Sequence, residues 1–195
     1  MTATDPEDTQ PSSETAHLPQ PPAHKGTISK SGIVLGPDGK PCRTCNSARD
    51  MTNLSRMLTS GKTKSSSPLA AALAPPPPDR SDCPPDVEQL GRSTWTLLHS
   101  ITATYPETPT QSQKSDMQSF LSILGRVYPC WVCADDFTAW MKQPENSPKL
   151  DTREDFGRWM CNAHNEVNRK LGKQEFDCNL WKQRWKDGWK DGRCD

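Results

Sequence analysis

Aromatic side chains decide where this chain can build a core. All seven Trp, two Tyr and four Phe lie at or after Trp95, whereas residues 1–82 carry none and hold twelve of the nineteen prolines. A stretch without rings and rich in Pro, Ser and Thr buries too little apolar surface to offset the entropy of ordering it. Residues 1–82 are therefore expected to form a disordered arm, with Pro75–Pro78 a stiff polyproline spacer before the fold. The remaining 113 residues, Cys83 to Asp195, suffice for one compact domain, small enough for covalent staples to matter. Six of the eight cysteines lie there.

Charge narrows the function classes. The 24 basic residues match the 24 acidic ones, and neither half departs far from neutrality. The basic tail residues Lys182, Arg184, Lys186, Lys190 and Arg193 are interleaved with Asp187, Asp191 and Asp195, a solvated surface rather than a nucleic-acid footprint. No apolar run is long enough for a membrane span. The N-terminus carries Asp5, Glu7, Asp8 and Glu14 before its first basic residue, Lys25, and resembles neither a secretory signal nor an Arg-rich transit peptide. Eight cysteines nevertheless point to an oxidising compartment. Gly61-Lys62-Thr63 lacks the upstream glycine of a phosphate loop, since Arg56 stands there, and the sequon at Asn53 has meaning only in a secreted chain.

The aromatic domain reads as helices throughout. Asp86 with Gln89 resembles a capping box, and Leu90, Thr94, Leu97, Leu98, Ile101 and Tyr105 recur at helical spacing until Pro106. Thr110 with Gln113 caps a second helix, whose Met117, Phe120, Leu121, Leu124, Val127 and Tyr128 share a face before Pro129 breaks it. Cys130 opens a third, with Cys133, Phe137, Trp140 and Met141 along one stripe. Asp151 or Thr152 starts a fourth, with Phe156, Trp159, Met160, Ala163, Val167 and Leu171 inward and Gly172 at the C-cap. A short fifth piece, about residues 179–186, sets Trp181 and Trp185 four apart. No β-alternation interrupts the pattern, so the expected fold is all-α, a four-helix bundle with a short fifth helix.

Two features carry chemistry. Cys130 and Cys133 follow a proline at a helix start, where unpaired N–H groups and the positive end of the helix dipole favour the thiolate that attacks disulfides. The competing reading is half of a tetrathiolate zinc site completed by Cys42 and Cys45, which would make the chain a zinc-binding interaction module; 84 residues separating Cys45 from Cys130 disfavour it. On the fourth helix His164 and Asn168 share a face beside Asn165, with Lys170 and Lys173 near its end, and Trp95 and His99 form a similar pair on the first. Two aromatic-polar faces beside a reactive dithiol could sandwich a flat ring, and such a ring would convert thiol exchange into net oxidation.

At these residues the chain resembles the Erv/ALR family of FAD-linked sulfhydryl oxidases, of the mitochondrial type. The resemblance rests on Cys83-Pro84-Pro85-Asp86, Leu90-Gly91-Arg92 with Trp95 and His99, Tyr128-Pro129-Cys130 with Cys133, the run His164 to Lys173, Phe176-Asp177-Cys178, and Trp185-Lys186-Asp187-Gly188-Trp189. It extends to Pro41-Cys42-Arg43-Thr44-Cys45, similar to the mobile shuttle pair of the long mitochondrial forms. It implies a helical FAD domain in which Cys133 faces the isoalloxazine and Cys130 is the interchange sulfur. Gly91, Arg92, Trp95, His99, Tyr128, Cys161, His164, Asn165, Val167, Asn168, Lys170, Leu171, Lys173 and Trp185 fall on its cofactor-binding positions. Cys161 and Cys178 match its structural disulfide, worth about 3 kcal/mol for a loop of that size. Cys83 and Cys194 match cysteines that link the subunits of animal homodimers.

By the same resemblance, a protein dithiol, such as an import oxidoreductase of the Mia40 type, reduces Cys42–Cys45, and electrons pass through Cys130–Cys133 and FAD to oxygen or cytochrome c in the mitochondrial intermembrane space. The dithiol spacer Trp131-Val132 departs from the acidic spacers of some relatives. A flexible linker of the length between Cys45 and Cys83 spans roughly 35 Å, ample to reach across a domain of radius of gyration about 13 Å.

Overall fold

The computed structural model describes residues 26–51, 53 and 83–194. Four helices form the domain: α1 (Val87–Thr104), α2 (Gln111–Val127), α3 (Trp131–Met141) and α4 (Arg153–Lys170). Each starts where a side chain can take up the first orphan amides. The Asp86 carboxylate accepts from Gln89 N at 2.9 Å. Thr110 and Gln113 form the complete reciprocal box, at 3.2 and 2.9 Å. Thr152 rather than Asp151 caps α4, its hydroxyl accepting from Asp155 N at 3.0 Å. At the other end of α4 Gly172 takes φ +65°, the left-handed turn that a Cβ would disfavour.

Helix α1 packs on α4 and α2 on α3. Between them lies a core of Leu98, Tyr105, Leu121, Leu150, Phe156, Trp159 and Met160. Its polar edges are satisfied: the Tyr105 hydroxyl donates to Leu150 O at 3.1 Å, and the Trp159 indole donates to Asn146 O at 2.8 Å. Three residues expected on inward faces lie outside: Leu97 is 57%, Val127 60% and Leu171 61% exposed. Leu97 stands one residue from Leu98, which takes the core position. Val127 ends α2, and Leu171 is the C-cap, where the chain turns away from the bundle.

The fifth piece is not one α-helix. It comprises a 3₁₀ turn at Cys178–Leu180 and a π-helical turn at Gln183–Asp187 ended by Gly188 at φ +80°. Trp181 anchors it, 1% exposed, its indole N–H donating to Glu154 at 3.3 Å and its ring lying flush on Gly157. The π winding sets Trp185 against α1 rather than stacking it above Trp181.

Residues 26–51 are more ordered than their composition predicts. Antiparallel bridges pair Ile28 with Val34 and Leu35 with Pro41, with Gly32 and Gly39 in left-handed turns between them. A 3₁₀ turn at Arg43–Cys45 follows. Composition misjudges this lobe because backbone hydrogen bonds and the surface of the domain, not aromatic burial, hold it. The Pro75–Pro78 spacer and the Gly61-Lys62-Thr63 run lie outside the described residues.

The close seat of Trp181 gives a test of the fold. A Cβ at Gly157 would meet that ring at 2.5 Å. Gly157→Ala should therefore lower stability by about 1–3 kcal/mol, read as a fall in urea midpoint, whereas Gly91→Ala, with open space around it, should not.

Candidate functional site

The dithiol is built by a helix break. Pro129 prevents α2 from continuing, and Cys130 becomes the N-cap of α3. Its sulfur accepts from Cys133 N at 3.3 Å, so a chain amide that lacks a helical partner points at it. Cys130 and Cys133 are joined as a disulfide, S–S 2.09 Å, with Cys130 fully buried and Cys133 half-buried. The arm's Cys42 and Cys45 form a second disulfide, S–S 1.98 Å. The segments that carry the two pairs touch, for the Thr44 hydroxyl donates to Pro129 O at 3.2 Å. A third disulfide, Cys161–Cys178, ties α4 to the C-terminal segment. Cys83 is half-buried and Cys194 exposed.

Helices α1 and α4 and the π turn bring four rings together. Trp95 stacks on His164 with centroids 4.0 Å apart and planes 4° from parallel, and His99 stacks on Trp185 at 4.3 Å and 6°. His99 Nε2 and His164 Nδ1 are hydrogen-bonded at 3.0 Å. Burial, the neighbouring His164 and the charge of Arg184 hold the His99 pKa at about 3, and burial with Lys173 holds His164 at about 4. Both rings are therefore neutral at physiological pH. His99 Nδ1 is buried without a hydrogen-bond partner. Stacked aromatic faces, an orphaned ring nitrogen and the nearby charges of Arg184 and Lys173 suit a planar heterocycle carrying a negatively charged tail. The residues present thus fit FAD.

Several other cofactor-binding candidates are hydrogen-bonded or ion-paired to residues of the chain. Asn165 is buried and spends its amide on Phe176, accepting from its N and donating to its O, both at 2.8 Å, while Asn168 donates to Asn165 at 3.3 Å. Lys170 pairs with Asp136 at 2.7 Å and Glu166 at 3.2 Å, beside an open cleft of about 340 Å³ that contains neither the cysteines nor the histidines. Arg92 is exposed and pairs with Glu88 at 3.8 Å. Gly91, Tyr128 and Val167 are half-buried, and Leu171 and Lys173 are exposed. Sequence reasoning missed Asn46 and Trp131, which seat the arm; their positions beside the two dithiols were the available signal.

A helical bundle with a helix-capping disulfide, a second disulfide on a segment hydrogen-bonded beside it and a cluster of stacked aromatic rings marks the class of thiol–disulfide exchange proteins. The profile of the Erv1 / Alr family matches residues 92–186. The mitochondrial FAD-linked sulfhydryl oxidase ERV1 of Saccharomyces cerevisiae is 45% identical over 169 residues, covering 80% of this chain and 88% of the relative. Its Schizosaccharomyces pombe namesake is 40% identical, covering 80% of this chain and 91% of the relative. The crystal structure of the yeast Erv1 core superposes with a TM-score of 0.54 at 58% identity, covering 57% of this chain and 92% of that one. The chain belongs to the Erv1 / Alr family.

The neutral histidines make the domain acid-sensitive. Their folded pKa values lie below the ordinary 6.5, so between about pH 6.5 and pH 4 the unfolded chain binds protons that the folded one refuses. Their contribution to stability is complete above pH 6.5 and shrinks as pH falls through that window. Urea midpoints should therefore drop from pH 7 to pH 4.5, and His99→Gln should make that dependence shallower.

Proposed function

We propose that this chain is an FAD-linked sulfhydryl oxidase that makes disulfides in partner proteins, with Cys42–Cys45 as shuttle and Cys130–Cys133 as the dithiol that reduces the cofactor. The observation that carries the reading is that two CxxC disulfides, one in the arm and the other capping a helix, lie in segments joined by the hydrogen bond from Thr44 to Pro129 O. A partner dithiolate attacks the arm disulfide and leaves oxidised. An arm thiolate then attacks Cys130, the Cys130–Cys133 bond breaks, and Cys133 departs as the thiolate. The second arm sulfur attacks the mixed disulfide, which restores Cys42–Cys45 and leaves Cys130 and Cys133 reduced. Bound FAD supplies the two-electron sink and the outlet to oxygen or cytochrome c.

The aromatic walls Trp95, His99, His164 and Trp185 hold the ring, and neutral imidazoles offer it hydrogen bonds without adding charge. Gly91, Arg92, Tyr128, Cys161, Asn165, Val167, Asn168, Lys170, Leu171 and Lys173 complete the cofactor site in this reading. Lys173 is poised for the tail as it stands, and Lys170 serves once it is released from Asp136. The names of the relatives support a mitochondrial location. Within it, the intermembrane space, a partner of the Mia40 type, a homodimer and a Cys83–Cys194 link between subunits complete the proposal. Among the described residues no helix is long and apolar enough to cross a membrane.

Substitution separates the two pairs. Cys130→Ser or Cys133→Ser should lower oxygen uptake on dithiothreitol by at least about a hundredfold, as loss of a nucleophile does. Cys42→Ser/Cys45→Ser should keep activity on dithiothreitol within about twofold yet lose that on reduced thioredoxin, a dithiol too bulky to reach a buried sulfur. Equal loss on both substrates refutes the shuttle.

A further inference from the structure

Among the described residues of the arm, Asn46 is the buried polar side chain, 4% exposed, and it follows directly on the CxxC pair. Its Oδ1 accepts from Val34 N at 3.0 Å, and its Nδ2 donates to Val34 O at 2.8 Å and to Cys42 O at 2.7 Å. One amide thus ties the bridged segment at Val34–Leu35 to the turn that carries the shuttle sulfurs. Both ends of that tie touch the neighbours of Cys130. On one side the Trp131 indole N–H donates to Leu35 O at 3.2 Å; on the other the Thr44 hydroxyl donates to Pro129 O. The lobe is also fixed to the start of α1: Val87 N donates to Asn46 O at 3.4 Å, Ala48 N to the Asp86 carboxylate at 3.2 Å, and the Arg43 guanidinium to Pro84 O.

We propose that Asn46 is a positioning residue for disulfide interchange, holding residues 26–51 as one body that straddles Cys130, and that Trp131 is the specificity-determining residue that recognises this body. The inference rests on the shuttle reading above. Covalent linkage through a flexible linker gives two groups an effective concentration in the millimolar range. A body seated by its own main chain raises that value, and it does so without any contact to the thiols of the partner. The apolar spacer of the dithiol acquires a purpose: Trp131 offers its single N–H to a carbonyl of the arm, a contact that an acidic side chain, lacking a donor, could not make.

Variants of the full-length holoprotein that keep one arm thiol and Cys130, Cys42→Ser/Cys133→Ser and Cys45→Ser/Cys133→Ser, test this without relying on turnover. In a glutathione buffer the two remaining thiols are oxidised to one disulfide as oxidised glutathione is reduced to two thiols. Peptide mass spectrometry then measures the equilibrium yield of the arm–Cys130 link in whichever variant forms more of it. Asn46→Asp removes both donors and sets a carboxylate against Val34 O and Cys42 O; Trp131→Phe removes only the indole N–H. Each should lower the equilibrium constant by about tenfold, with helical circular dichroism unchanged. A change of less than about twofold in either variant overturns the proposal. The shuttle reading fails separately, if Cys42→Ser/Cys45→Ser oxidises reduced thioredoxin as well as the parent does.

Discussion

The rest of the structure turns on the break between α2 and α3. Proline cannot continue a helix, and the next residue must cap the new one. Here that residue is a cysteine, so a sulfur takes the place usually held by a hydroxyl or carboxylate and receives the Cys133 amide at 3.3 Å. The same amides that need a partner in the folded chain are those that stabilise a thiolate when the disulfide opens. Fold and reactivity are here a single interaction, and it fixes which sulfur sits at the junction between domain and arm.

The second element is the pairing of α1 with α4. Their contact buries Leu98, Phe156 and Met160 at one level and sets Trp95, His99 and His164 at another. The Cys161–Cys178 bond and Trp181 then carry the C-terminal segment back, so that Trp185 closes the stack. Burial depresses both histidine pKa values, and this is why a cluster next to Arg184 and Lys173 stays neutral. A charged pair of imidazoles would repel these cations; neutral ones leave their field to a negatively charged ligand.

Much of this was legible in the residues. Thr110 with Gln113, Thr152 and Gly172 mark helix ends because capping is local, decided within four residues of chain. The 3.6-residue spacing marked Leu98, Leu121, Phe156 and Met160 as core, and all are buried. The pattern failed at Leu97, Val127 and Leu171, since periodicity gives a face but not the arc of it that neighbours cover. Around the site, Trp95, His99 and His164 converge as their spacing suggested. The engagement of Asn165 with Phe176 and of Lys170 with Asp136 was not legible, because those partners are fixed by the fold.

The sequence by itself determined the helices, their caps, the reactive CxxC at a helix start and the family to which the chain belongs, because each depends on residues close together or on motifs in fixed order. Only the tertiary structure decided that residues 26–51 form a lobe, that Asn46 organises it and that it rests on the residues flanking Cys130. Those contacts join positions as far apart as Leu35 and Trp131, through backbone carbonyls that any residue carries. No local pattern encodes such a meeting; it exists only once the domain offers a surface on which the arm's hydrogen bonds can close.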